Sequence, residues 1–364
     1  MDTVFKLKKS ARPSLSSSSP PDWASLPEEL LELILHPGDD RRRLYSVTEN
    51  KILSSLELRV PYRRRCCGSS HGWLATVNEE DSGITLLNPF SGRALSLPKV
   101  GCEPYNINPA MRHNLKYEYD VKKVILSCGD PSSDEFVVVA IYSMCNALAY
   151  IKPGRSKHWI KIKGGNYSDA IYHQGIFYVM DKYSGVLYLD VRDYSEPKGR
   201  LVVNHTTRRH PFKAYIVVLS TGKDLLLVER FLKKKGRPAR WVTSSFKIFK
   251  LGFVCGSGSS ISGGSQQFAK EWVEINSLGD DTLFLGDNYS LSVTASSFPG
   301  CQANCVYYTD DVYTDTSAPW YPYGPRDMGI YSFVDGSLAP HYEFKKKQMK
   351  VPMPPPIWIV PTLL

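Results

Sequence analysis

No run of about 18 consecutive apolar residues occurs in the 364-residue chain, so no segment reads as a membrane-spanning helix. The opening MDTVFKLKKSARPSLSSSSPP lacks the apolar stretch of a secretory signal. Cysteine is too sparse and too irregular for a disulfide framework. Of the eight present, Cys66 and Cys67 are adjacent, Cys301 and Cys305 are four apart, and the others have no partner spacing. A chain this long without a signal is expected in the cytoplasm or nucleus, with reduced thiols. Asn166, Asn204 and Asn288 each open a glycosylation tripeptide, which in that compartment is read as chance. Charged residues at 22% and hydrophobic residues at 42% are ordinary values, and they exclude wholesale disorder.

What the chain has in quantity is aromatic and turn-forming residues. Aromatics reach 12%, with 22 Tyr, and 26 Gly and 25 Pro mark many turns. That combination points to a mainly β protein. The 45 Lys and Arg exceed the 36 Asp and Glu for a net charge of +9. The excess is clustered at Arg41–Arg43, Arg63–Arg65, Lys233–Lys235 with Arg237 and Arg240, and Lys345–Lys347 with Lys350. Nucleic-acid binding would want one stripe interleaved with aromatics, and these runs are far apart. Solvated loop charge is the ordinary reading, and a nuclear-import signal in 233–240 is the alternative.

Residues 1–24 are basic, then rich in Ser and Pro, and read as a disordered tail, with a transit peptide as the alternative. The segment SLPEELLELIL, residues 25–35, predicts a helix. Ser25 and Glu28 form a capping box, Pro27 suits the first turn, and Leu26, Leu30, Leu33 and Ile34 share one face. His36-Pro37-Gly38 stops it, and Ser46 with Glu49 could cap a second short helix carrying Ile52, Leu53 and Leu56.

From about residue 60 the pattern becomes short strands and turns with an internal echo. Gly72–Val77 then Gly83–Asn88 is a hairpin-like unit, and Gly175–Met180 then Gly185–Asp190 repeats it. Weaker versions follow at Gly222 and Gly279, with further apolar runs at Phe136–Tyr142 and after Met328. A spacing of roughly 40–60 residues predicts a β-propeller of six or seven blades, although periodicity alone leaves a sandwich open. Pro354–Pro356 and Pro361 fence Ile357–Val360 into a short strand. This strand is expected to close the ring against Trp73–Val77 or Ile84–Leu87, burying Trp358.

Chemistry is thin. Gly68-Ser69-Ser70-His71-Gly72 matches a nucleophile elbow literally, but Arg-Arg-Arg-Cys-Cys precedes it and a strand follows it. Cys301 and Cys305 lack a second ligand pair, so no metal is assigned. No cofactor site is indicated, and no residue is assigned a catalytic role. A propeller enzyme or sugar-binding propeller would need a polar constellation in its central channel, and spacing reveals none.

Several segments in order carry a resemblance. PDWASLPEELLELIL resembles the first helix of an F-box, the module that binds the Skp-type adaptor of cullin–RING ubiquitin ligases. RRCCGSSHGWLATV, ITLLNPFSGRALSLP, DAIYHQGIFYVMD, WVEINSLGDDTLFLG, PGCQANCVYYTDD and PPPIWIVP resemble plant F-box proteins with a KIB-type β-propeller, also catalogued as domain of unknown function 295. The resemblance implies a partial F-box over 25–58 and a propeller over 60–364. It also implies adaptor contacts from Leu26, Pro27, Leu30, Leu33 and Ile34. The later F-box helices lack their usual Trp-containing segment, since no Trp lies between Trp23 and Trp73. Loss of two hot spots of about 2 kcal/mol each would weaken the adaptor about a thousandfold. The expected function is therefore a ubiquitin-ligase substrate receptor for an unidentified protein. The alternative is a propeller interaction module that no longer recruits the ligase. In either case a monomer is expected, with no membrane and no nucleic-acid partner.

Overall fold

The computed structural model describes residues 31–35, 42–47, 49, 51–53, 60, 64–78, 82–101, 120–143, 145–191, 198–203, 211–236, 240–255, 268–311, 327–340 and 356–359. Among them there are only strands, turns and one 3-10 turn at Ala295–Ser297, with no α-helix. None of the described helices is therefore long and apolar enough to cross a membrane.

The chain forms antiparallel meanders in succession. β1 (Leu31–Leu35), β2 (Arg42–Ser46) and β3 (Lys51–Leu53) come first. The second sheet holds β4 (Cys66–Ser70), β5 (Trp73–Val77), β6 (Ile84–Leu87) and β7 (Ala94–Ser96). The third holds β8 (Val121–Leu126), β9 (Val138–Tyr142), β10 (Ala147–Ile151) and β11 (Ile160–Ile162). β12 (Tyr167–His173), β13 (Ile176–Asp181), β14 (Val186–Asp190) and β15 (Lys198–Val203) make the fourth. The fifth comprises β16 (Lys213–Val218), β17 (Leu225–Lys235), β18 (Arg240–Cys255) and β19 (Phe268–Ile275).

The sixth sheet departs from the meander. It contains β20 (Asp281–Leu285), β21 (Ser290–Thr294), β22 (Cys305–Tyr308), β23 (Gly329–Ser332) and β24 (Leu338–Ala339). Its order is β21-β20-β22-β23-β24, with β20 and β22 parallel. Finally β25 (Ile357–Ile359) returns to the first sheet and pairs with β1.

Alternation of side chains explains why these strands read as nearly continuous apolar runs. In β9, Val138, Ala140 and Tyr142 pack toward the second sheet, while Val139 and Ile141 pack toward the fourth. A strand buried on both faces has no polar side to show. Each pair of neighbouring sheets shares one apolar cluster, and the sequence of clusters runs from the first sheet round to the sixth and back. The architecture is a mainly β propeller. Its inner strands approach closely: a Cβ at Gly68 on β4 would collide with the Val124 carbonyl on β8. The two echoed hairpins use the same turn, with His71-Gly72 and Gln174-Gly175 both at positive φ, as a type I′ turn requires.

Two expectations need correction. The helix predicted over residues 25–35 is not present at Leu31–Leu35, which form β1, and Lys51–Leu53 form β3 where a second helix was expected. Residues 25–30 and Leu56 lie outside the described residues, as does the 1–24 tail. Leu-Glu-Leu-Ile-Leu is too short for its apolar pattern to separate strand from helix. An isolated helix of so few residues is marginal, whereas β1 gains backbone partners on both sides. The second correction concerns ring closure. β25 pairs with β1, in the register Leu31↔Ile359, Glu32↔Trp358 and Leu33↔Ile357, and not with β5 or β6. Those two strands are interior to their sheet and have no free edge.

Closure does join the two ends of the described chain, and Trp358 is 1% exposed. Its indole N–H donates to the Leu285 carbonyl at 2.9 Å, and its ring meets Phe284 edge-on at 4.9 Å. The Asn288 amide donates to the Trp358 carbonyl at 2.8 Å. One residue thus ties the first sheet to the sixth. Trp358→Ala should cost about 3–5 kcal/mol. That lowers the melting temperature by on the order of 10 °C in scanning calorimetry. Removal of residues 355–364 should lower it at least as far, and a parent-like transition in both would show that β25 does not close the ring.

Candidate partner-binding site

The motifs singled out in the sequence fall as follows. Leu33 and Ile34 lie in β1, opposite Leu44 and Arg43 of β2, while Leu26, Pro27 and Leu30 are outside the described residues. Ser70, the serine of the elbow pattern, ends β4 at a tight hairpin with no helix after it, and its Oγ accepts a bond from the Leu126 N–H. Cys301 and Cys305 pack in the cluster between the sixth and first sheets, and burial pushes the Cys301 thiol up to about 11. Cys66, Cys67, Cys128, Cys145, Cys301 and Cys305 are free thiols.

Spacing hid a set of buried charges that links the sheets near their inner strands. Arg65 donates to the Asp287 carboxylate at 2.7 Å and to the carbonyls of Val121 and Lys122. Lys123 on β8 pairs with Asp169 on β12, which also accepts the Ile216 N–H of β16 at 2.9 Å. Residues far apart in sequence meet here, so no local pattern could announce them. Their partners are one another, and the arrangement cross-links sheets.

The largest such group sits between the fifth and sixth sheets. Arg230, in the middle of β17, is 0% exposed. Its guanidinium donates to Asp311 at 2.6 Å, Asp327 at 2.9 Å, Thr243 Oγ1 at 2.8 Å and the Thr309 carbonyl at 3.1 Å. Lys213 pairs with Asp311 at 2.7 Å, and the Tyr215 hydroxyl donates to the same carboxylate at 2.8 Å. Asp327 further accepts the Thr243 N–H and hydroxyl. Two cations and two carboxylates balance, and the Tyr308 ring lies 4.7 Å from the guanidinium. Burial, then the Asp311 carboxylate, holds the Tyr215 phenol well above its usual range.

This network fixes the base of a long hairpin. Just beyond Arg230 the register shifts between Phe231 and Leu232, so that Ser244 is an extra residue on β18. A bulge of this kind bends and twists the strand. On either side of it, Phe231 and Leu232 both line a groove of about 430 Å³ together with Pro211, Phe212 and Trp241. The Phe212 N–H donates to the Arg230 carbonyl at 2.9 Å, which fastens the groove wall to the network. Phe212 is 40% and Trp241 43% exposed. Lys233, Lys234 and Lys235 continue β17 outward and are exposed, with Lys234 Nζ 5.0 Å from the Trp241 ring. The basic run was visible in the sequence, but its aromatic floor was not. Trp241 joins it only through the hairpin pairing Lys234↔Trp241, and Phe212 only through β16.

The KIB1-4 beta-propeller family model matches residues 44–332. The chain belongs to that family. Among curated relatives, F-box protein At2g26160 of Arabidopsis thaliana is 23% identical, covering 80% of this chain and 96% of the relative. F-box protein SKIP23 of the same plant is 24% identical over 84% of this chain and 78% of its own length. Among solved structures, the Cps50 (Swd1) β-propeller domain of Myceliophteria thermophila is 8% identical, covers 84% of this chain and 99% of that one, and has a TM-score of 0.38.

Two outcomes are expected, one from the Arg230 network and one from the buried phenols. Arg230→Met should destabilise the propeller by about 3–5 kcal/mol in urea unfolding, because it leaves Asp327 buried without its cation and Asp311 with Lys213 alone. Raising pH should also weaken the fold. Burial pushes the Tyr307 and Tyr308 phenols up to about 12, against 10.0 for a free tyrosine. Between those values the unfolded chain binds fewer protons than the folded one, so stability falls as pH rises. The melting temperature should hold near pH 7 to 8 and decline steadily from about pH 9, where the Cys301 thiol and then the phenols ionise in the unfolded chain first.

Proposed function

We propose that this chain is a protein-recognition propeller acting as the substrate-binding subunit of an SCF-type ubiquitin ligase. Membership of a family whose curated relatives are named F-box proteins carries this reading. The interior is consistent with it, since Arg65 with Asp287, Lys123 with Asp169 and Arg230 with Asp311 are buried pairs that tie sheets together. On the surface, the groove beneath the β17–β18 hairpin carries large exposed aromatics, a residue type that interaction hot spots favour. The reading places this chain in the cytoplasm or nucleus, as a monomer outside the assembled ligase.

A second reading is favoured by one observation. β1 is paired with β2 on one side and β25 on the other. Leu33 and Ile34 in that strand cannot at the same time belong to a helix laid on an adaptor. On this reading the propeller begins at β1, the F-box is degenerate, and the chain holds its partner without recruiting the ligase.

Adaptor binding separates the two. Titration of the full chain with a purified Skp-type adaptor should give micromolar or weaker affinity, and Leu30→Asp should abolish it. Nanomolar binding that survives Leu30→Asp would show that residues 25–35 are not the contact. Complete absence of binding would favour the degenerate module.

A further inference from the structure

We infer that the groove beneath the β17–β18 hairpin takes an acidic peptide segment with one large apolar anchor residue, contributed by a partner protein. This rests on the reading of the propeller as a protein-recognition module. The cavity, about 430 Å³, lies within the range of pockets that enclose side chains or small ligands. Among the described residues, its lining of Pro211, Phe212, Phe231, Leu232 and Trp241 presents no carboxylate and no cation to its occupant. An aromatic or Leu side chain is what such a lining desolvates at least cost.

The charge around it has one sign. Lys233, Lys234 and Lys235 are consecutive and exposed, and among the described residues no carboxylate pairs with them. Elsewhere the fifth sheet does match its exposed lysines: Lys247 pairs with Glu274 at 2.9 Å and Lys250 with Asp224 at 3.0 Å. The hairpin end thus departs from its own sheet. Hairpin pairing also sets the geometry. Lys234 lies directly opposite Trp241, and Leu232 shares the face of Lys234 by the two-residue repeat of a strand. An apolar anchor seated on Leu232 and Trp241 would therefore have Lys234 at its rim, with Lys233 and Lys235 on the other side of the strand for flanking carboxylates. Single-stranded nucleic acid is the other polyanion to weigh, but it needs free aromatic faces in series. Lys234 already covers one face of Trp241.

The test uses the full chain and a fluorescein-labelled short peptide of Glu and Asp residues with a central Phe-Leu pair, read by anisotropy. Saturable binding is expected, weakening about tenfold or more as salt rises from about 50 mM to about 300 mM. Trp241→Ala should weaken it about tenfold, and combined Lys233→Glu, Lys234→Glu and Lys235→Glu by at least as much. The lysines are exposed, so the charge variant should melt with the parent, while Trp241→Ala, whose ring is more than half buried, should melt slightly lower but cooperatively. A Lys-rich peptide with the same Phe-Leu centre should not bind. Absence of saturable binding overturns the inference, as does binding that neither variant disturbs or tighter binding of an oligothymidine. No adaptor is present, so failure here leaves ligase recruitment untouched, whereas failure of adaptor binding leaves this titration unmoved.

Discussion

The pairing of β25 with β1 is the constraint on which the rest depends. A ring of sheets has no edge only while every neighbour is in place, and here one neighbour is assembled from residues more than 300 positions apart. Three backbone-paired residues would be a weak latch by themselves. Trp358 makes it strong, because its ring and its indole N–H both engage the sixth sheet while its backbone completes the first. The apolar clusters on either side of the first sheet depend on that strand, since Ile357 and Ile359 face the second sheet and Trp358 the sixth.

Within the closed ring, apolar burial and buried charge serve different ends. The apolar clusters are non-directional and would tolerate some sliding of one sheet on the next. Arg230, Arg65 and Asp169 would not, because each engages groups from more than one sheet at hydrogen-bond distance. Replacing such groups with well-packed apolar residues is often neutral for stability, so their contribution here is better seen as fixing relative position. At Arg230 that matters most, since the hairpin and its groove extend directly from the residue so held.

Much of the fold was legible in the sequence, and what escaped did so for physical reasons. The hairpins at Gly72 and Gly175 announced themselves because a type I′ turn demands positive φ at adjacent positions, which leaves a glycine beside a strand pattern. The end strand around Trp358 was visible because prolines bracket it. Leu31–Leu35 was misread because a five-residue apolar run carries both periodicities, and its partner lies at the other end of the chain. The parallel β20–β22 pair had no local signal either, since β21 intervenes in sequence and pairs on the opposite side of β20. The candidate groove was half legible. Its lysines form a run, but Phe212, Phe231 and Trp241 converge only once three strands are laid side by side.

Closure by the last strand also sets a clock on biosynthesis. β3 ends at Leu53 and β25 begins at Ile357, so the first sheet is made long before its fourth strand exists. With roughly 300 residues still to come at about 5–20 residues per second, the interval is about 15–60 s. During that interval β1 presents an unpaired edge on a nascent chain, the condition under which strands find wrong partners. A mutation harmless to the finished ring could still reduce yield by making that waiting edge more adhesive.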